Sequence, residues 1–477
     1  MKKRGSGIRA LLAAASLLLL AAAPAGRAAE LASSHGIAPV SAAGGLLGPV
    51  SRVTFHEQVE RVLQKNCQTC HHEGGIAPFS LVSYADAYEH RVKMQIVTST
   101  RTMPPWKPDT SCGAALQGNP RLSDGEIAIF LEWLRRGAPE GDARRAPAPL
   151  VFDDGWKLGT PDLQLGMSQA FQPDFAAGDV YRCFRLPTGL DGQRYLSGIE
   201  VAPGNRSMVH HVLLFADTTG ASAPLDGADG QPGYPCFGGP GFNAVSPLGA
   251  WVPGLRPSLL PDGIGIDLPK NSTLVMQIHY SARTGGVAPD RTQVALHFAR
   301  TPVQKRLLTL PLLNQTFRLP AGQANIPVTA AAGFIPYDIT LRYIAPHMHL
   351  LGRTMSLTVT PLGGAAACLV NVPDWDFRWQ GFYGYVTPVK VGSLSRIDLQ
   401  ATYDNSGDNP NNPNKPPKDV TWGENTSDEM CLCYLSFTID SENLAGLAGL
   451  PPTNLDTFEP FWEPRSSASA PAPSRTR

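Results

Sequence analysis

The first residues suited to chemistry form a Cys-x-x-Cys-His sequence made of Cys67, Cys70 and His71. On a helix these positions share one face, so two thiols can bond the edge of a porphyrin while the imidazole reaches its iron. The spacing therefore predicts one covalently attached c-type haem. A chance match and a redox-active cysteine pair are the alternatives.

A haem held in this way needs a second axial ligand further along the chain. Met103 is the candidate, because the prolines that follow it favour an extended backbone and a thioether raises the haem potential. Met103 could also only pack against the haem edge. His72, His90 and Met94 are rivals, although Met94 lies in a segment predicted to be helical, where a buried methionine is more often part of the core.

A second group of candidate ligands lies beyond residue 150. Nearly all histidines of this region fall in three places, and a methionine adds a sulfur donor: His210 with His211, His279, His347 with His349, and Met430. Any one of these histidines is most simply explained as a core or loop residue. Five of them in strand-like segments favour a metal site instead.

The spacing of these histidines sets their geometry. His347 and His349 are two residues apart, which places both rings on one face of a strand. The adjacent His210 and His211 would point to opposite faces, so shared binding of one metal needs a strand end, a bulge or the nearer ring nitrogen. Imidazole suits copper, and a thioether favours its reduced state, while zinc is the rival metal.

At these residues the chain resembles the type II, ascorbate-dependent copper monooxygenases, the family of peptidylglycine α-hydroxylating and dopamine β-monooxygenases. The matching segments follow the family's order and are residues 209–215, 250–251, 277–280, 347–350 with Gly352, and 428–431 with Tyr434. The resemblance implies two copper ions and the hydroxylation of a substrate C–H bond by O₂. It also implies two β-sandwich lobes that face each other across a solvent cleft.

The resemblance also implies roles for individual residues. The electron-transfer copper would be held on the first lobe by His210, His211 and His279. The oxygen-binding copper would be held on the second lobe by the catalytic group His347, His349 and Met430, with Tyr434 beside it. The peptide-hydroxylating branch has an arginine for the substrate carboxylate where this chain has Ala345, which favours an uncharged, apolar or aromatic substrate.

The family pattern gives two disulfide bonds. Cys183 would pair with Cys236 in the first lobe. Cys368 would pair with Cys431 and so fix the loop of the ligand Met430. Partners for Cys112 and Cys433 are not predicted, and buried free thiols are the alternative for all of these cysteines.

The elements around these residues predict a multidomain chain. Helical spacing of apolar residues after a Ser123–Glu126 capping box predicts a helix that closes the block 52–140. With Cys67, Cys70, His71 and Met103, this helix makes residues 52–140 resemble a short bacterial mono-haem cytochrome c domain, which implies a small all-α haem domain. Short alternating runs bounded by Gly, Pro and Asp predict two all-β jelly-roll-type sandwich domains, at 151–310 and 311–455. The remaining predicted segments are a signal peptide at 1–29, a leader arm at 30–51, a linker at 141–150 and a disordered tail at 456–477.

Composition limits the partners that the protein can bind and indicates the compartment in which it acts. Lys and Arg number 40, as do Asp and Glu, so no net field favours nucleic acid. The basic and apolar start predicts export to the periplasm or the outside, with no stable membrane span after cleavage. Disulfide bonds persist in such compartments.

Together these features predict a copper monooxygenase that uses O₂ on a small organic substrate. Its electrons would come from a periplasmic donor or an ascorbate-like reductant and pass through the haem. Direct transfer from the haem to the first copper would be within reach, because the six linker residues 144–149 span only about 15–20 Å. The alternatives are a non-catalytic periplasmic carrier that binds copper and haem, and a zinc-stabilised adhesion protein.

Overall fold

The structure is a computed structural model that describes residues 52–152, 155–176, 178–243, 247–281 and 288–446. The predicted signal peptide and tail lie outside these ranges, as does all of the leader arm. From Val53 onward the chain forms one compact unit. Within the described ranges, no helix is both long enough and apolar enough to cross a membrane.

Helices are confined to the N-terminal part of the described chain. A π-helical turn at Phe55–Val59 leads into α1, and a 3₁₀ turn follows α3. The helices are α1 Glu60–Asn66, α2 Tyr84–Ser99, α3 Asp124–Arg135 and the 3₁₀ turn Ala143–Arg145. The predicted capping box of α3 is confirmed, because Ser123 and Glu126 bond each other's backbone N–H groups. Phe130 and Trp133 of α3 are buried in a small core with residues of α1 and α2.

The next part of the chain forms two five-stranded sheets, called here the first sheet pair. One sheet has the order β1-β9-β3-β7-β10 and the other β5-β2-β8-β4-β6. The strands are β1 Leu163–Gly166, β2 Val180–Pro187, β3 Arg194–Ala202, β4 Val209–Asp217, β5 Tyr234–Pro235, β6 Gly249–Trp251, β7 Ile264–Leu268, β8 Thr273–Tyr280, β9 Gln293–Phe298 and β10 Lys305–Arg306. Apolar residues of both sheets share one core.

Two four-stranded sheets follow, called here the second sheet pair. Their orders are β11-β20-β14-β17 and β13-β18-β15-β16, and β12 pairs separately with β19. The strands are β11 Leu308–Asn314, β12 Arg318–Leu319, β13 Ile326–Ala332, β14 Ile339–His347, β15 Gly352–Thr360, β16 Ala367–Val372, β17 Tyr383–Val391, β18 Arg396–Tyr403, β19 Val420–Thr421 and β20 Cys431–Ile439. The two sheets bury one common core.

The predicted fold class is wrong. Strands hold 34% and helices 11% of the described residues, which form several small sheets, and no all-α cytochrome-like domain is evident among them. The helical pattern of α3 does not continue through the block 52–140, because turns and irregular chain separate its short helices. The described residues of the two predicted jelly-roll-type sandwiches instead form four sheets of four or five strands and one sheet of two strands.

The extended part of the block, residues 104–117, is called here the strap because it lies along the second sheet pair. Asp109 N–H donates to Asn371 O at 2.7 Å, and Gln117 N–H donates to Gly384 O at 2.7 Å. Cys112 forms a disulfide with Cys368 on β16. The helical segment is therefore fastened to the second sheet pair and does not hang on a free linker.

The cysteine pairing follows from these positions. Cys183 and Cys236 form the expected disulfide. The expected Cys368–Cys431 bond is wrong, because Cys431 is free and fully buried in the core of the second sheet pair. Cys368 is only partly buried, and the strap brings Cys112 to it.

Candidate metal centres and haem-attachment segment

Three histidines converge at one end of β4 and β8. His211 on β4 lies directly opposite His279 on β8, and the register shifts between Val209 and His211. This bulge at His210 turns adjacent side chains to the same side of the strand, as an ordinary strand could not. We call these residues the three-histidine cluster.

The cluster has the dimensions of a metal site. The Nδ1 atoms of His210 and His211 are 3.2 Å apart, those of His210 and His279 are 3.2 Å apart, and those of His211 and His279 are 3.4 Å apart. Two nitrogens at about 2.0–2.1 Å from one ion, at a tetrahedral angle, are about 3.3 Å apart. Three imidazoles can therefore bind one ion through Nδ1.

A buried carboxylate orients one of these rings. Asp179 Oδ2 lies 3.0 Å from His279 Nε2 and also accepts a hydrogen bond from Thr426. Burial raises the pKa of Asp179, but hydrogen bonds from His279 and Thr426 outweigh it and hold the pKa at about 2. The ionised carboxylate fixes the proton on Nε2 and leaves Nδ1 free for a metal, as outer carboxylates do in many metal sites.

The first mutational prediction concerns this carboxylate. Asp179→Asn should weaken copper or zinc binding to the three-histidine cluster by about 10–100-fold, the usual effect of losing such an outer partner. Competition with a chelator measures the affinity. Asp191→Asn, at an exposed loop position, is the matched control. An unchanged affinity in Asp179→Asn would show that His279 needs no orienting group.

A second cluster lies where β14 meets β20. His347 ends β14 and pairs with Leu432, and His349 follows just beyond the strand. The two imidazole rings are 5.2 Å apart between centroids and nearly perpendicular. Met430 lies directly before β20, so His349 and Met430 occupy the same end of this strand pair. His347, His349 and Met430 are called here the second cluster.

Hydrogen bonds leave the same nitrogen available on both rings of the second cluster. His347 Nδ1 lies 2.6 Å from Gln380 Oε1, and His349 Nδ1 lies 3.2 Å from the carbonyl of Asp428. Both partners are acceptors, so each Nδ1 carries a proton and each Nε2 has a free lone pair. Burial lowers the pKa of His347 to about 4 and that of His349 well below its usual value. Both rings are therefore neutral near pH 7, as metal ligation requires.

Glu429 joins the two chain segments of the second cluster. Its carboxylate accepts the backbone N–H of His349 at 2.8 Å, of Leu351 at 2.5 Å and of Met430 at 3.2 Å. Burial raises the pKa of this fully buried carboxyl to about 8, although the backbone donors lower it. Glu429 lies in the matching segment 428–431, but no role for it was predicted from the sequence.

Tyr434 lies on the same sheet as the second cluster. It pairs with Ala345 in β14, two residues before His347, so Tyr434, Ala345 and His347 share one face of the sheet. Burial raises the pKa of Tyr434 to about 12. Tyr434 is thus a neutral phenol on the face that carries His347.

The haem-attachment residues lie at the end of α1. Cys67 caps this helix, and the thiols of Cys67 and Cys70 are free and partly buried rather than joined. His71 Nδ1 lies 3.1 Å from Phe79 O and donates to it, which leaves Nε2 for an iron. Two free thiols and one imidazole therefore lie together at the end of α1.

The structure also places the candidates for the second haem ligand. Met103 follows α2 and borders a small crevice with Leu122 and Ile127, and Ile127 packs against the same helical core as Cys67. Met94 is buried in that core. The two rival histidines lie against other rings, His72 on Phe152 and His90 on Phe79.

Comparison with known proteins identifies no family for this chain. No protein-family model and no curated protein matches the chain. Among solved structures, one of the infectious bursal disease virus Gx strain is 8% identical, covers 58% of this chain and 72% of its own, and has a TM-score of 0.19. The infectious bursal disease virus VP2 subviral particle is 9% identical, covers 58% and 71%, and has a TM-score of 0.19. Similarities this low carry no argument.

Proposed function

We propose that this protein is an exported copper monooxygenase that carries a covalent haem and hydroxylates a C–H bond of a small organic substrate. The observation that carries the proposal is the triangle of three Nδ1 atoms on β4 and β8. It is supported by a second cluster whose two imidazoles keep Nε2 free at the end of the strand pair that also carries Met430. Copper is favoured over zinc because copper binds imidazole sites more tightly and a thioether suits its reduced state.

The overall reaction needs two electrons for each turnover. One oxygen atom of O₂ enters the C–H bond of the substrate, and two electrons and two protons reduce the other to water. Copper supplies one-electron chemistry and O₂ activation when bound. The chain's own residues hold the imidazoles neutral and oriented, through Asp179 at the three-histidine cluster and Gln380 at the second cluster.

The substrate proposed is uncharged and apolar or aromatic. Ala345 shares a face with His347, so the position that carries an arginine in the peptide-hydroxylating branch offers no cation here. A buried carboxylate at this place would lack a charge-assisted partner. Tyr434, opposite Ala345, can offer a neutral O–H to a polar substituent.

The electrons are proposed to come through the haem from a periplasmic donor or an ascorbate-like reductant. Arg256 Nη2 donates to Thr69 Oγ1 at 3.2 Å, within the Cys-x-x-Cys-His sequence. Five residues earlier, Trp251 on β6 pairs with Val212, the neighbour of His211. The segment from Trp251 to Arg256 thus connects the haem-attachment residues with the three-histidine cluster. Two disulfides agree with a periplasmic or secreted location.

One observation favours a second candidate function, a non-catalytic carrier of electrons that binds copper and haem. His349 is only 4% exposed, and Phe377 lies against its ring. A carrier needs no access for substrate, whereas a monooxygenase must open this site.

Metal loading and O₂ consumption together test the proposal. We expect two coppers per chain, one lost in His210→Ala and the other weakened in Met430→Ala, independently because the ligand sets are separate. The haem colour should remain on the polypeptide after denaturation and acid-acetone extraction, and Met103→Ala should remove the methionine-to-iron charge-transfer band. Reduced, copper-loaded protein should consume O₂ faster when a substrate from a screen of uncharged aromatic and aliphatic compounds is added.

Three results would contradict parts of the proposal. One metal per chain, or a preference for zinc, would remove the two-copper assignment. Extractable haem would remove the covalent attachment. Binding of two coppers and haem without substrate-dependent O₂ uptake would favour the second candidate function, the electron carrier.

A further inference from the structure

A single aromatic ring separates the two clusters. Phe377 stacks on His210 with centroids 4.9 Å apart and an interplanar angle of 19°, and it meets His349 edge-on at 5.6 Å. The centroids of these two imidazoles are therefore at most 10.5 Å apart, the sum of the two distances. Phe377 is 8% exposed, so its ring fills this gap instead of solvent.

The loop that carries Phe377 contacts both histidines of the second cluster. This loop, residues 373–382, joins β16 to β17. Trp375 Nε1 donates to the carbonyl of His349 at 3.0 Å, and Gln380 accepts from the ring of His347. Gln380 Nε2 also donates to the carbonyl of Phe377 at 3.0 Å. Movement of the Phe377 backbone is therefore linked to the residue that orients His347.

The loop before β20 bonds to residues of the first sheet pair near His279. Thr426 donates to Asp179, and Gly238 N–H donates to Glu424 Oε2 at 2.7 Å. Tyr181 O–H donates to the carbonyl of Glu424 at 2.6 Å. These bonds join the two sheet pairs next to the three-histidine cluster, because Tyr181 also stacks on His279.

We propose that Phe377 is a gate residue, whose ring occupies the place of the substrate between His210 and His349 and must move aside before substrate can bind. This inference rests on the proposed function. The gap holds a benzyl group between the face of one imidazole and the edge of another, which is the kind of contact that favours flat, uncharged rings. Phe377 thereby determines both access to the second cluster and the shape of what enters.

The first test uses metal-free protein and phenol as the probe. Phe377→Ala should bind phenol about tenfold more tightly than the native protein, because the native ring must be displaced first. Calorimetric titration gives the affinity, and the ring-proton resonances of His210 and His349 should shift on binding. Phe382→Ala, which removes a ring of the same loop that stacks on Tyr343, is the matched control and should bind like the native protein.

The second test uses the copper-loaded, reduced protein and carbon monoxide. CO should bind about tenfold faster in Phe377→Ala, a difference of about 1.4 kcal/mol in barrier, with its infrared stretch unchanged. Loss of the signal in His349→Ala assigns it to the second cluster. Phe377→Leu, which keeps most of the bulk, should give intermediate values and replaces the alanine variant if that variant does not fold.

The two tests separate failure of the gate from failure of the proposed function. Absence of copper would contradict the proposed monooxygenase function. The phenol titration would then still show whether Phe377 blocks binding. Native-like phenol affinity and native-like CO binding in Phe377→Ala would overturn the gate. Equal phenol affinity in Phe377→Ala and Phe382→Ala would also overturn it.

Discussion

Glu429→Ala is expected to destabilise the protein severely and to abolish metal binding at the second cluster. The substitution leaves the buried N–H groups of His349 and Leu351, and the partly buried N–H of Met430, without their acceptor. Each unpaired buried group costs about 1–3 kcal/mol, so the two buried groups alone cost about 2–6 kcal/mol, a large part of the stability of many domains. Denaturant unfolding and metal analysis measure the two effects.

Two variants show whether Glu429 acts on the site or only on the fold. Glu429→Gln retains one acceptor oxygen and should recover a large part of both stability and metal binding. Glu200→Ala removes a similarly buried carboxylate from the first sheet pair, where it accepts the N–H groups of Lys157 and Leu158 and contacts His297. That control should lose stability but retain the second metal. Loss of the second metal in Glu200→Ala would show that any destabilisation empties the site.

The candidate ligands could be found in the sequence because their types are rare and their spacing is local. The separation of His347 and His349 by one residue determines that both can lie at one strand end. Adjacent His210 and His211 left several geometries open, and the bulge at His210 selects one of them. A bulge depends on how β4 pairs with β8, 60 to 70 residues away in the chain, which local patterns do not contain.

The supporting residues could not be predicted for the same reason. Asp179, Gln380 and Phe377 act only through contacts with histidines that are distant in sequence, and each is an ordinary residue in its own segment. The strap illustrates the same limit for the fold. Residues 104–117 have no strand periodicity, and the pairing of Cys112 with Cys368 spans 256 residues.

The strap changes the expected connection between the helical segment of Cys67, Cys70 and His71 and the two histidine clusters. The segment 141–150, predicted to be a linker, packs back on α1, because Arg61 and Gln64 of this helix donate hydrogen bonds to the carbonyls of Arg145 and Ala148. The strap instead fixes the position of the helical segment on the second sheet pair. On the other side, Thr69 contacts Arg256 of the first sheet pair. The helical segment that carries Cys67, Cys70 and His71 is thereby tied to both sheet pairs.

Haem bound to this segment should therefore pass electrons to the three-histidine cluster within one molecule. After rapid mixing, prereduced haem in the copper(II)-loaded protein should be reoxidised in a step whose rate does not depend on protein concentration. The step should vanish in His279→Ala, which removes one of the three ligands. It should persist in His297→Gln, a matched change of a buried histidine in the same sheet pair that bonds Glu200.

Arg256→Ala tests the path. The substitution removes the hydrogen bond that joins Thr69 to the segment leading to β6 and His211, so intramolecular reoxidation should slow while copper binding stays unchanged. Because the strap still holds the haem segment in place, a lost rate in this variant reports on the contact and not on detachment. Haem reoxidation that is unaffected in His279→Ala would show that the haem serves another partner. The two electrons of each hydroxylation would then have to reach the coppers directly from an external reductant.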